Sequence, residues 1–161
     1  MPGIDDGLGK KAEAKIREWL DRPEKGYCFD RIPDQVSGFI GSKNICDFTL
    51  YKKPFMYYLE SKATFHDRFD FSMLTEFQYT EMVKKSRIDG VKAVVIVLFA
   101  SYKRAFIIDI REIERLTNSG TKSLNIKKLS KWDCAWKEIK TVPSRKQLLD
   151  YTGEFDEASD D

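Results

Sequence analysis

The chain opens on helical spacing: Leu8, Ala12, Ile16 and Trp19 recur at intervals of three and four, with good helix formers between them and Pro23 closing the segment. This predicts an amphipathic helix over residues 8–20. Residues 26–43 lose the pattern and hold Gly26, Pro33, Gly38 and Gly41, although residues 27–32 allow a short edge strand. Residues 45–51 and 55–62 are aromatic and β-favouring, and Pro54 between them lacks the amide donor that a ladder needs, so a β-hairpin is predicted. Ser72 offers an N-cap for a helix over residues 73–87, whose apolar stripe of Met73, Leu74, Phe77, Met82 and Val83 stops before Gly90. Residues 91–100 form a near-continuous apolar run, as in a strand covered on both faces, and residues 105–110 predict a further strand. Asp109 or its neighbours begin a short helix ending at Gly120, and the alternation of Trp132, Cys134 and Trp136 predicts a late strand or ordered extension. The order α-β-β-α-β-β-α defines an α/β fold: a single domain with a central mixed β-sheet flanked by helices.

Composition narrows the class. A chain of 161 residues with 42% hydrophobic and 34% charged residues can bury a sizeable core, and its aromatics argue against disorder. The last nine residues hold Glu154, Asp156, Glu157, Asp160 and Asp161 and no base. The expected division is therefore a folded domain over residues 1–152 and a disordered acidic tail over 153–161. The domain is accordingly more basic than the net charge of +2 implies, which suits a polyanionic partner but also an ordinary solvated surface. The longest apolar run, residues 93–100, falls far short of a bilayer span, and residues 1–11 lack a signal peptide's apolar core, so an intracellular location is expected. Cys28, Cys46 and Cys134 are widely spaced and His66 is the single histidine, which argues against disulfides and a structural zinc site.

Three charged residues interrupt the hairpin's apolar strands. Side chains alternate along a strand, so Glu60 and Lys62 share a face. With residues 52–55 as the loop, 51 faces 56, 49 faces 58, and Asp47 falls opposite Glu60. Directly opposed residues have Cβ atoms roughly 4.5–5.5 Å apart, where like charges repel. Something positive belongs between them, and two carboxylates suit a hard divalent cation such as Mg2+, with Mn2+ as a substitute. Such a cation would polarise a phosphoryl oxygen and activate water, with Lys62 placing the nucleophile or stabilising developing charge. The competing reading makes Asp47 a strand cap and Glu60 with Lys62 a solvent-facing ion pair. The catalytic reading is favoured because the acids lie on adjacent apolar strands in a register that brings them together.

Asp47, twelve intervening residues and then Glu60-Ser61-Lys62 resemble the PD-(D/E)xK nuclease superfamily, and more narrowly the RecU-type Holliday junction resolvases. Gly9-Lys10-Lys11-Ala12-Glu13 is similar to the family's N-terminal helix start, and Phe69, Phe71 and Gln78 match a phenylalanine-rich segment leading to a helix glutamine. The resemblance covers residue 9 to about residue 110. It implies a restriction-endonuclease-like core and a homodimeric, metal-dependent endonuclease of DNA recombination and repair that acts on branched DNA and leaves 5′-phosphate and 3′-hydroxyl ends. It implies metal binding by Asp47, Glu60 and Glu13, and catalytic roles for these three with Lys62 and Gln78. Glu13 reads equally well as an exposed helix acid, whereas Gln78, four residues from both Leu74 and Met82, faces inward and needs a partner. Two features depart from the family: residues 27–46 are too few for its junction-contacting stalk, and Tyr58 stands where a further acid is common.

Lys43, Lys52, Lys53, His66, Arg68, Lys84, Lys85 and Arg87 are candidate phosphate contacts, some of them ordinary solubilising charge. The functional expectation is a structure-selective, Mg-dependent endodeoxyribonuclease, with a phage-encoded source among the expectations. A restriction-type or repair endonuclease of the same fold and a non-catalytic DNA-binding module are the alternatives.

Overall fold

The computed structural model describes residues 7–33, 44–145 and 148–155. Helix α1 (Leu8–Leu20) buries the stripe read from the sequence, Leu8, Ala12, Ile16 and Trp19, together with Leu20. Strand β1 (Cys28–Arg31) is an edge strand pairing with β2 (Phe48–Lys52), which turns at Lys53 and Pro54 into β3 (Phe55–Thr64). Phe48 lies opposite Leu59, Thr49 opposite Tyr58 and Tyr51 opposite Met56. This is the predicted register.

After β4 (Arg68–Asp70) the chain enters α2 (Glu76–Ser86), then β5 (Val91–Phe99), β6 (Arg104–Asp109) and α3 (Ile110–Asn118), which Asp109 caps by accepting the Arg111 N–H. The remaining strands are β7 (Ser123–Asn125), β8 (Lys137–Ile139), β9 (Thr141–Pro143) and β10 (Leu149–Tyr151). The main sheet runs β1-β2-β3-β5-β6-β8, with β3 and β5 parallel and the other pairs antiparallel. It is the mixed sheet expected, and β5 lies at its interior with residues 93–99 all buried.

One face of the sheet packs on α1, β10 and Phe155; the other packs on α2, α3, β4 and β7. A sheet covered on both sides explains why β5 is apolar throughout rather than alternating.

Several local expectations need correction. Helix α2 starts at Glu76 rather than Met73 because Thr75, not Ser72, is the N-cap: Thr75 Oγ1 accepts the Gln78 N–H and Gln78 Oε1 accepts the Thr75 N–H, a reciprocal capping box. Ser72 lies in the preceding 3-10 turn, Phe71–Met73. Residues 132–136 form an ordered extension rather than a strand, with Trp132 and Trp136 packed on Phe106 at ring separations of 5.2 and 5.6 Å. The strand follows at Lys137.

The boundary expected at residue 152 moves as well. Trp19 Nε1 donates to the Gly153 carbonyl at 2.7 Å, Lys25 pairs with Glu154 at 3.0 Å, and Phe155 is fully buried against Trp19 and Tyr57. Gly153–Phe155 thus belongs to the packed body, and the acids from Asp156 onward lie outside the described residues. Deleting a buried aromatic side chain removes its transfer free energy and leaves a cavity, so Phe155→Ala should cost about 3–4 kcal/mol in urea unfolding followed by tryptophan fluorescence. Loss under 1 kcal/mol would mean that this segment is not part of the core.

Candidate active site

The hairpin carries the candidate site. Asp47 stands one residue before β2, just past the last ladder pair Phe48–Leu59; its backbone N–H donates to the Leu59 carbonyl at 3.0 Å, and its carboxylate lies next to that of Glu60. Its Oδ2 accepts the Ser61 N–H at 2.8 Å, which fixes the carboxylate across the strand gap. Glu60 is 2% exposed, and its Oε2 accepts from both Lys62 Nζ at 2.9 Å and Gln78 Nε2 at 3.0 Å.

Gln78 connects two functions. Its Oε1 faces the Thr75 N–H, which can only donate, so its amide nitrogen must be the group that faces Glu60. The same residue caps α2 and fixes one oxygen of the buried acid. Glu60 Oε1, by contrast, is buried and has no hydrogen-bond donor within reach. A buried carboxylate oxygen without a donor costs free energy unless a cation or water takes it.

Burial, and then the charge of Glu60, push the Asp47 carboxyl up to about 6, against the opposing pull of the Ser61 N–H. Burial and the Asp47 charge likewise raise Glu13, which Arg31 counteracts by donating to Glu13 Oε2 from Nη2 at 2.8 Å and Nε at 3.2 Å. Asp47 is therefore flanked by two acids. Arg31, on the edge strand, supplies the positive charge on the Glu13 side, a contribution invisible in a sequence where Arg31 lies 18 residues from its partner. Cys46 is buried beside the pair, with its thiol pushed up to about 12 chiefly by burial, so it is not a nucleophile at neutral pH.

The chemistry of the donor set fits a hard divalent cation. Two opposed carboxylates, one with an oxygen lacking any donor, offer the ligands that Mg2+ or Mn2+ takes, leaving other positions for water and phosphate. Among the described residues no group of three or more His, Cys, Asp or Glu side chains is arranged to hold a metal ion. Asp47 and Glu60 would hold it, with Glu13 behind Asp47 and engaged by Arg31.

The candidate DNA contacts are dispersed. Lys43 lies outside the described residues. Lys52 donates to the Phe155 carbonyl at 3.0 Å and lies over the Tyr27 ring, and Lys53 occupies the hairpin turn; five residues of strand, roughly 17 Å, separate this end from Asp47. Lys84 pairs with Glu81 and Arg87 with Glu114, while Lys85 lies over the ring of Tyr58, two residues before Glu60. His66 and Arg68 are exposed just beyond the end of β3.

An aspartate opposed across a hairpin to a strand carrying Glu60-Ser61-Lys62, within a mixed sheet covered by helices on both faces, is the PD-(D/E)xK nuclease architecture. The family model for recombination protein U (RecU) matches residues 30–156, and the chain belongs to that family. Among solved structures, the fold is similar to that of Hjc, a Holliday junction resolvase from Archaeoglobus fulgidus, with a TM-score of 0.51 and 16% identity over 74% of this chain and 89% of that one. No curated protein matches the chain significantly by sequence. Among the described residues no helix is long and apolar enough to cross a membrane.

The raised Asp47 pKa gives a signed expectation. Its contribution to stability is full below the ordinary carboxyl pKa near 4 and is lost as pH rises through about 6, because the folded state holds the proton more tightly. Metal-free protein should therefore be less stable at pH 7.5 than at pH 5 through this group. Asp47→Asn should remove the loss and stabilise the metal-free protein by on the order of 1–3 kcal/mol at pH 7.5. Thermal melts across pH in EDTA would check this; a variant less stable than wild type at pH 7.5 would count against the opposed pair.

Proposed function

We propose that this protein is a metal-dependent, structure-selective DNA endonuclease, a Holliday junction resolvase that hydrolyses phosphodiesters in branched DNA. The observation that carries the reading is the opposed pair Asp47 and Glu60, with Lys62 bonded to one Glu60 oxygen and the other oxygen lacking any donor. Membership of the recombination protein U family and the Hjc-like fold support it. Such a role places the protein with intracellular DNA, as a dimer that addresses two strands symmetrically.

Asp47 and Glu60 would hold a divalent cation, Mg2+ in this reading, which would supply positive charge against a phosphoryl oxygen and lower the pKa of a coordinated water. The protein supplies the geometry. The Ser61 N–H holds Asp47, and Gln78 with Lys62 holds Glu60, so both acids are oriented in advance. Lys62, partly accessible beside the buried Glu60, is the side chain available to orient the attacking water or to stabilise charge on the phosphate in the transition state. Glu13, bound to Arg31, adds negative charge behind Asp47 and favours a cation there. His66 and Arg68, beyond the end of β3, and Lys85, over Tyr58, are the candidate phosphate contacts nearest the acids along the fold.

Equal amounts of four-way junction, nicked duplex and linear duplex, incubated with Mg2+, Mn2+ or EDTA, test the reading. We expect paired nicks in opposing strands of the junction in either metal, 5′-phosphate ends and no cutting in EDTA. Asp47→Asn and Glu60→Gln should abolish cleavage and weaken Mn2+ binding in calorimetric titration. Lys62→Ala should lower the cleavage rate by at least about a hundredfold with the fold retained. Junction affinity should fall steeply with salt. Cutting confined to one linear sequence would replace the resolvase reading with a restriction-type one, and binding without metal-dependent cleavage of any substrate would leave a DNA-binding module.

A further inference from the structure

Strands β3 and β5 are parallel and in register to their ends, Thr64 opposite Phe99, so the loops that follow them leave the sheet side by side. In a parallel pair this carboxyl end is where ligands gather. Phe65 follows Thr64 directly and is 43% exposed; Tyr102, in the 3-10 turn Ala100–Tyr102 after β5, is 37% exposed. The Ser101 hydroxyl donates to the Phe65 carbonyl at 2.8 Å, joining the two loops.

Among the described residues, three of the other exposed apolar side chains have simpler accounts, and Ile88 stands alone in the turn after α2. Trp136 packs on Trp132 and Phe106, and Tyr51 and Val142 stand on strands. Phe65 and Tyr102 instead share one rim and, among the described residues, stack on no other aromatic ring. The second loop is also held in an uncommon conformation: Lys103, a non-glycine residue, has φ of 53°, and its carbonyl accepts from Thr141 Oγ1 at 3.3 Å. A left-handed residue with a β-carbon costs free energy that glycine would avoid, and such strain gathers where a loop must present a particular shape.

The rim is close to the chemistry. Phe65 is three residues after Lys62, a span of at most about 11 Å, which is the length of a few stacked nucleotides. Linear duplex offers aromatic rings no free base faces, whereas a four-way junction has base pairs at its branch point whose stacking is interrupted. Aromatic platforms bind unstacked bases without reading their sequence.

We propose that Phe65 and Tyr102 form a two-residue aromatic rim that stacks on bases at the branch point, setting selectivity for junctions beside the catalytic acids. The proposal rests on the resolvase reading above and names how that site recognises its substrate. It gives the protein a means of sensing a branch with rings carried on the two loops at the carboxyl ends of β3 and β5.

The test compares wild type with Phe65→Ala, Tyr102→Ala and the bulk-preserving Phe65→Leu and Tyr102→Leu, in EDTA so that no cutting occurs. Affinity for a four-way junction and for a linear duplex of equal length is measured, with 2-aminopurine at the branch point. We expect both alanine variants to lose about tenfold in junction affinity, to keep linear affinity within about twofold, and to lose the 2-aminopurine response. The leucine variants should behave like the alanine ones, since it is the flat ring that stacks. Thermal melts and sedimentation should match wild type throughout. Variants that keep the full junction-to-linear ratio and the fluorescence response would overturn the proposal while leaving the resolvase reading intact. A change of oligomeric state in the variants would also overturn it, assigning the rings to an interface between copies. A wild-type protein with equal affinity for both DNAs would instead remove the reading beneath it.

Discussion

Two carboxylates that repel each other are held together at the end of a backbone ladder, and much of the candidate site's construction answers that repulsion. The β2–β3 register, which ends at Phe48 and Leu59, brings Asp47 beside Glu60 whatever their charges prefer, because slipping it by one residue would turn Phe48, Leu50, Tyr57 and Leu59 away from their buried face. Hydrophobic burial on the hairpin thus enforces an electrostatic cost at its end. That cost appears as the raised Asp47 carboxyl and the donorless oxygen of Glu60. A bound cation would relieve both.

The surrounding elements keep that arrangement from relaxing. Helix α2 could have been capped by any short polar side chain, but its capping box uses Gln78, whose amide is then directed onto Glu60. Helix placement and acid orientation are consequently one structural fact. On the other side, α1 brings Glu13 toward Asp47 while Arg31 of the edge strand limits the repulsion. Packing on both faces of the sheet, through Phe155 and Trp19 on one side and Phe69 and Met82 on the other, holds α1 and α2 against the hairpin between them. Stability at these distant contacts is what permits strain at the centre.

Much of this could be read from the chain. Helix α1, the hairpin with its register, and the buried strand β5 follow from local periodicity, since each is a continuous segment whose pattern is set by which side faces a core. The start of α2 was also present in the sequence: Thr75 and Gln78 have capping-box spacing, and Ser72 was the competing signal. The short strands β4, β7, β9 and β10 have only three residues each, too few for periodicity to register, and pairing across distant segments alone defines them.

The sequence by itself determined which acids meet, because residue alternation and one turn suffice to bring Asp47 beside Glu60 and to put Lys62 on the Glu60 face. Tertiary structure decided what surrounds that pair. Gln78 reaches Glu60 from a helix 18 residues away, Arg31 reaches Glu13 from an edge strand, and Phe155 closes the core from 136 residues beyond Trp19. Acid composition suggested that residues 153–155 were tail, yet one buried phenylalanine ring and the Gly153 carbonyl bound by Trp19 hold them in place. Local pattern depends on neighbours a few residues apart and is written in order along the chain. Burial and desolvation depend on segments that meet only after the sheet has formed, and they decide how strongly an acid holds its proton and which oxygen is left for a cation.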